Sequence, residues 1–262
     1  MAPGSAATSP VRLGPGPAKY HLVRLFLKVV AGAYVRIRYE GVDRMPDEAY
    51  IICINHPSWL DPIVLAASWP DRRRRLFIFG PRERDMSVGW RNHLIMWTGR
   101  SVHFKPAGAD VLDATRRATA VLRAGGLLVV AGEGRLSDLE SKARPIEPGV
   151  AHFAMMSGAT ILPTAIIGTR WVHFGGTVRL RIGTPIRLRG VASGRAGVRE
   201  LTEQIEAQLA ELLAGVQESQ PPGPFGRWLS EAFNDRPWLA EGGPDTAGPP
   251  PPPRGQDASN EG

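Results

Sequence analysis

Six short apolar runs alternate with helix-patterned stretches through most of this 262-residue chain. The runs are residues 50–54, 76–79, 101–104, 127–131, 160–167 and 178–182. The helical stretches are 62–69, 86–98, 110–124, 149–157 and 197–215. Alternation of this kind predicts an α/β fold: a single layered domain with a mixed, mostly parallel sheet flanked by helices. The stretch 110–124 shows the pattern well. Val111, Leu112, Thr115, Ala118 and Leu122 share one face, and Gly125-Gly126 supplies a stop.

The ends read differently from the middle. Residues 1–17 are rich in Pro, Gly and Ala, hold no apolar core of a secretory signal, and are expected to be disordered. Residues 20–37 predict an amphipathic helix, with Leu22, Leu25, Phe26, Val29, Val30 and Ala33 on one face. Arg24, Lys28 and Arg36 break it up too often for a membrane span. It reads equally as an interfacial helix at lipid headgroups and as an ordinary helix docked on the domain. From residue 216 the composition turns to Pro, Gly and acid, which predicts a disordered tail over 216–262. Within it, Phe225–Phe233 has the pattern of one short amphipathic turn. The folded domain is therefore expected to span 18–215.

Charge separates along the same boundary. The net charge is +7, but residues 216–262 carry three arginines against seven carboxylates, which leaves +11 on residues 1–215. A basic body suits an anionic partner, and it suits a solvated arginine-rich surface as well. The single cysteine, Cys53, excludes a disulfide framework or a cysteine metal cluster and fits a reducing, cytoplasmic setting. The histidines outside residue 56 show no metal spacing. Basic residues interleaved with exposed aromatics, as nucleic-acid binding needs, do not appear in the motifs.

Chemistry concentrates at the exits of the apolar runs. The run Tyr50–Ile54 is followed by Asn55-His-Pro-Ser-Trp-Leu-Asp61. A histidine beside a carboxylate is a general base for a hydroxyl proton. Five residues along a helix turn by about 140°, so the two would not meet within one. Pro57 pushes His56 out of the helical region, which allows His56 on the turn and Asp61 on the first helical turn behind it. Asp61 would then fix the imidazole tautomer. No enzyme nucleophile stands out. Strand alternation puts Cys53 on the face opposite His56, and a lone apolar-flanked cysteine is usually inert. Direct attack by a substrate hydroxyl fits better than a covalent intermediate.

Three later segments fit the same chemistry. Gly132-Glu-Gly-Arg-Leu-Ser137 follows the run Leu127–Ala131. Its glycines allow backbone to approach a ligand; Arg135 has the planar fork for a phosphate, and Glu133 is placed to hold that arginine or a substrate hydroxyl. The same hexamer reads as a tight turn with a surface ion pair. Gly99-Arg-Ser-Val-His-Phe-Lys105 ends in a base suited to a second phosphate contact. Ile161-Leu-Pro-Thr164 puts a proline in an apolar strand, the mark of a sheet edge or a bulge. Arg72–Arg75 is either a contact for anionic lipid or a coenzyme phosphate, or a solvated loop.

Together these segments resemble the glycerolipid acyltransferases, the family that includes the lysophosphatidic acid acyltransferases. Asn55, His56 and Asp61 match its Asn-His-x-x-x-x-Asp block. Gly99 through Lys105 is similar to the second block, with Lys105 where that block usually ends in arginine. Glu133-Gly134 match the third; Ala131-Gly132 replace its Phe-Pro, and Arg135 directly follows the glycine. Pro163 matches the proline of the fourth, and the likeness spans about residues 20–190.

The resemblance implies O-acylation of lysophosphatidic acid to phosphatidic acid, with acyl-CoA or acyl carrier protein as co-substrate and no cofactor or metal. His56 and Asp61 would be catalytic. Asn55, Gly99, Lys105, Glu133, Gly134, Arg135 and Pro163 would hold the acceptor. Work would take place on an anionic membrane surface, at the cytoplasmic face. Three other readings stay open: acylation of another lysophospholipid, glycolipid or non-lipid alcohol; a non-catalytic lipid-binding protein; and a hydrolase using the same pair on water. The last lacks a nucleophile elbow.

Overall fold

The computed structural model describes residues 17–81, 101–104, 109–137 and 139–234. Its seven strands are β1 (Arg36–Glu40), β2 (Tyr50–Ile54), β3 (Leu76–Pro81), β4 (Ser101–Phe104), β5 (Leu127–Ala131), β6 (Thr160–Ile167) and β7 (Thr177–Ile182). The helices are α1 (Pro17–Tyr34), α2 (Asp61–Ser68), α3 (Ala109–Arg123), α4 (Gly149–Ser157), α5 (Gly194–Leu213) and α6 (Pro224–Asn234). The helix expected over 86–98 lies outside the described residues.

The strands form one sheet in the order β1-β7-β6-β2-β5-β3-β4. Strands β2 to β6 run parallel, β7 is antiparallel to β6, and β1 is parallel to β7. The sheet is thus mixed and mostly parallel, the class the alternation predicts. Central β2 is buried at all five positions, since helices cover both faces; it therefore reads as an unbroken apolar run. One face packs Ile51, Cys53, Leu128 and Val130 against α3, α4 and α5. The other packs Tyr50, Ile52, Ile54 and Val129 against Val64 and Leu65 of α2.

Two boundaries differ from expectation. The helix over 20–37 ends at Tyr34, and Arg36-Ile-Arg-Tyr-Glu40 forms edge strand β1. Arginines at alternate positions suit an edge, where charge discourages pairing with another chain. The folded body also continues past residue 215. Val216 packs on Ala165, Ile167 and Leu213. Glu218 accepts hydrogen bonds from the N–H groups of Glu140 (3.1 Å) and Ser141 (2.8 Å) and pairs with Arg170 at 3.4 Å. Partial burial opposes ionisation of Glu218, but bonds from Ser141, Glu140 and Arg170 outweigh it and hold its carboxyl below the ordinary range. Ser219 donates its hydroxyl to buried Glu140, whose other oxygen accepts from the N–H groups of Gly168 and Arg170. Polar residues tie this segment down, which is why composition alone read it as tail.

The connections define where a ligand can enter. From β2 the chain crosses over β5 to β3 through α2 on one face. From β5 it crosses over β2 to β6 through α4 on the opposite face. The loops leaving β2 and β5 therefore diverge at the carboxyl ends of two adjacent strands, the position where open α/β sheets bind ligands.

Candidate active site

His56 and Asp61 meet at this crevice. Asp61 begins α2, and Ser58 shapes the turn before it. The Ser58 hydroxyl accepts from Leu60 N–H (3.2 Å), and Asp61 Oδ2 accepts from Ser58 N–H (2.9 Å), in the manner of a capping box. The same Oδ2 lies 3.0 Å from His56 Nδ1. Asp61 is fully buried, whereas the His56 side chain keeps 17% of its surface open. With Nδ1–H donated to the carboxylate, the lone pair of Nε2 is left to accept a proton.

Burial pushes the Asp61 carboxyl above its ordinary range; bonds from His56, Thr169 and Ser58 draw it back. Asp61 Oδ1 and Thr169 Oγ1 are both buried, and neither has a partner at hydrogen-bond geometry. The Thr169 hydroxyl is nonetheless near enough to favour the charged carboxylate. Thr169 lies in the loop between β6 and β7 and carried no sequence signal. The Ser-x-x-Asp spacing of Ser58 and Asp61 was a signal that helix-start rules could have used.

Asn55 is placed differently from expectation. It is buried; Nδ2 donates to Ile166 O (3.1 Å) and Oδ1 accepts from Ile166 N–H (2.7 Å). Its amide pins the exit of β2 to β6 and so positions His56.

The loop after β5 locks onto the same exit. Gly132 N–H donates to Ile54 O (2.9 Å) and Ser137 N–H to His56 O (2.7 Å). A Cβ on Gly132 would sit 2.7 Å from Cys53 Sγ and 2.9 Å from Ile146 Cδ1, so any larger residue there has to displace these side chains. Gly134 has φ +65°, the left-handed region that a turn of this shape needs. Neither glycine therefore depends on a ligand for its explanation.

Glu133 does not hold Arg135. Glu133 is buried and its Oε2 accepts from the Ser137 hydroxyl, while Arg135 is exposed on the rim. Glu133 Oε1 is buried without a partner at bonding geometry, although the N–H groups of His56 and Arg144 stabilise it at longer range. Burial holds the Glu133 carboxyl above its ordinary value of 4.5, with Ser137 the strongest opposing influence. The folded state therefore binds this proton more tightly than the unfolded chain. The wild type should lose stability relative to Glu133→Gln as pH rises from 4.5 through the raised native value, and the difference should then level off. Denaturant midpoints for the two proteins across that range check it; a constant difference would contradict it.

Pro163 sits in central β6, in register with Cys53 of β2, so this proline marks no sheet edge. Its carbonyl accepts from Gly183 N–H (2.8 Å), so its missing N–H falls on the β7 side. There the pairing slips by one residue, from Thr164↔Ile182 to Ile161↔Ile186. The bulge removes the need for a donor. Pro163 is a wall and strand residue.

Cys53 is buried, and desolvation followed by the Glu133 charge pushes its thiol far up. It is no nucleophile. Gly99 and Lys105 lie outside the described residues. Arg72–Arg75 precede β3 at the amino ends of the parallel strands, a strand's length from His56, about 17–20 Å. They cannot share a ligand's reacting end with it. Among the described residues, no group of three or more His, Cys, Asp and Glu converges as a metal site.

A family model described as Acyltransferase matches residues 36–167. The chain belongs to the acyltransferase family. Its matched region runs from β1 through the last residue of β6 and contains both His56 and Asp61. This acyltransferase is also similar to the crystal structure of the 1-acyl-sn-glycerophosphate (LPA) acyltransferase from Thermotoga maritima. The TM-score is 0.56 at 21% identity, over 76% of this chain and 81% of that one. At that identity the likeness speaks for the fold.

Proposed function

We propose that this acyltransferase moves a fatty acyl group from acyl-CoA or acyl carrier protein to the free hydroxyl of lysophosphatidic acid, giving phosphatidic acid. The observation that carries the reading is the His56–Asp61 pair, 3.0 Å apart at the carboxyl end of central β2, with Nε2 left as the base. His56 takes the acceptor's hydroxyl proton while that oxygen attacks the thioester carbonyl. The tetrahedral intermediate collapses, the C–S bond breaks, and the imidazolium returns the proton to the leaving thiolate. Asp61 stabilises the imidazolium. No acyl-enzyme forms, in keeping with the burial of Cys53.

Arg135, exposed on the rim of the crevice, and Lys105 take the acceptor's phosphate. The acceptor is a lipid, and among the described residues no helix is long and apolar enough to cross a membrane. The enzyme works as a peripheral or monotopic protein at the cytoplasmic face of an anionic membrane, on which the exposed Leu22, Leu25, Phe26, Val29 and Val30 of α1 are laid.

Replacing Arg135 with Gln should raise KM for lysophosphatidic acid about tenfold or more, the worth of a charge-assisted bond, with kcat nearly unchanged. The same variant should treat a monoacylglycerol acceptor as the wild type does. Steady-state kinetics with both acceptors test this. Equal losses with both would show that Arg135 does not read the phosphate and would favour a lysolipid without a terminal phosphate.

A further inference from the structure

A second exposed apolar surface lies apart from α1 in the sequence. Among the described residues, Phe174 is 75% exposed, Phe225 71% and Trp228 60%. Such a cluster of aromatics on a protein surface marks a contact with something. Phe225 and Trp228 are one turn apart on α6, their ring centroids separated by 5.8 Å. Phe174 lies in the loop between β6 and β7, 6.1 Å from the ring of Tyr34 at the end of α1. The same loop meets α6, since a Cβ on Gly226 would come within 3.8 Å of His173 Cβ.

Topology puts this surface at the catalytic end. The loop joins the carboxyl end of β6 to the start of β7, the end at which β2 delivers His56. Its Thr169 lies beside Asp61, and its Gly175 N–H donates to Tyr34 O (2.8 Å). One short loop thus runs from the catalytic carboxylate to the exposed aromatics.

Charge says what covers the surface. Arg36 follows directly, its N–H bonded to Gly176 O at 2.8 Å. Arg36, Arg38 and Arg179 are exposed on one face of the paired β1 and β7. Helix α1 adds exposed Lys28 and has no acidic residue. Aromatics beside arginines that make no ion pair among the described residues suit an interface where rings enter the acyl boundary and cations meet lipid phosphates.

We propose that α6 and the Phe174 loop form a second lipid-docking surface. Together with α1 it seats the crevice against an anionic bilayer, so that the acceptor reaches His56 without leaving the membrane. The proposal rests on the lipid-acceptor reading above and deepens it.

The test uses the full chain with vesicles of phosphatidylglycerol and phosphatidylcholine, or of phosphatidylcholine alone. The variant Phe174→Ser/Phe225→Ser/Trp228→Ser should lose about tenfold or more of its partition onto the mixed vesicles. Its melting temperature and its turnover of lysophosphatidic acid in detergent micelles should stay those of the wild type. The charge variant Arg36→Gln/Arg38→Gln/Arg179→Gln should lose its preference for the anionic vesicles. Wild-type partition by the triple Ser variant would overturn the proposal. So would dimers of the wild type that the variant cannot form, because a second copy would then be the occupant. Failure of the acyl-transfer reading looks different: no turnover in micelles by any protein, with vesicle binding still dependent on the aromatics.

Discussion

Replacing His56 with Gln is expected to lower kcat by about 10²–10⁴-fold, the range of a positioned general base. Glutamine can still donate an amide hydrogen to Asp61 Oδ2, now 3.0 Å from the imidazole, so the buried carboxylate keeps a partner. It has no basic nitrogen for the acceptor's proton. Alanine at the same position removes the base and the partner together and leaves Asp61 buried without its ring. That variant should therefore lose stability as well as activity. The comparison of the two separates chemistry from folding: kcat falls in both, and the melting temperature falls mainly in His56→Ala. A His56→Gln enzyme with near wild-type kcat would show that this histidine is not the base.

The second large effect is expected for Asp61→Asn. Oδ2 of Asp61 accepts from Ser58 N–H (2.9 Å) as well as from His56. An asparagine that keeps its oxygen there preserves the imidazole tautomer but loses the charge that stabilises the imidazolium. One that turns its amide nitrogen there forces the proton onto Nε2 and removes the base. Either outcome costs about 10³–10⁴ in kcat, by the behaviour of other histidine–carboxylate pairs. Stability should move the other way. Burial already pushes this carboxyl above its usual range, so a neutral amide relieves a desolvated charge. At neutral pH the variant should melt at or above the wild-type temperature. A variant that is inactive because it is unfolded would contradict this account of Asp61.

Much of this architecture was legible because its signals are local. Buried strands such as Tyr50–Ile54 and Thr160–Ile167 read as unbroken apolar runs, and amphipathic helices such as 109–123 and 194–213 repeat their apolar residues. Strand β1 was hidden because its burial is one-sided and its charges continue the pattern of α1. Residues 216–219 were hidden because polar side chains hold them, through Glu218 and Ser219 on partners distant in sequence.

The site divides in the same way. The His56–Asp61 spacing and the break at Pro57 are written within seven residues. The use of Asn55 as a strand pin and the approach of Thr169 to Asp61 depend on where β6 lies, which no local pattern states. Pro163 shows how context decides: the signal allowed an edge or a bulge, and pairing on both sides left only the bulge.

The central claim is that His56 activates an acceptor hydroxyl and not water. Thiol release from acyl-CoA, measured with and without lysophosphatidic acid for the wild type and His56→Gln, tests it most directly. The account predicts release that requires the acceptor, matches phosphatidic acid formed one for one, and is lost in the variant. Release by the wild type at the same rate without acceptor, yielding free fatty acid, would contradict it and make the protein a thioesterase.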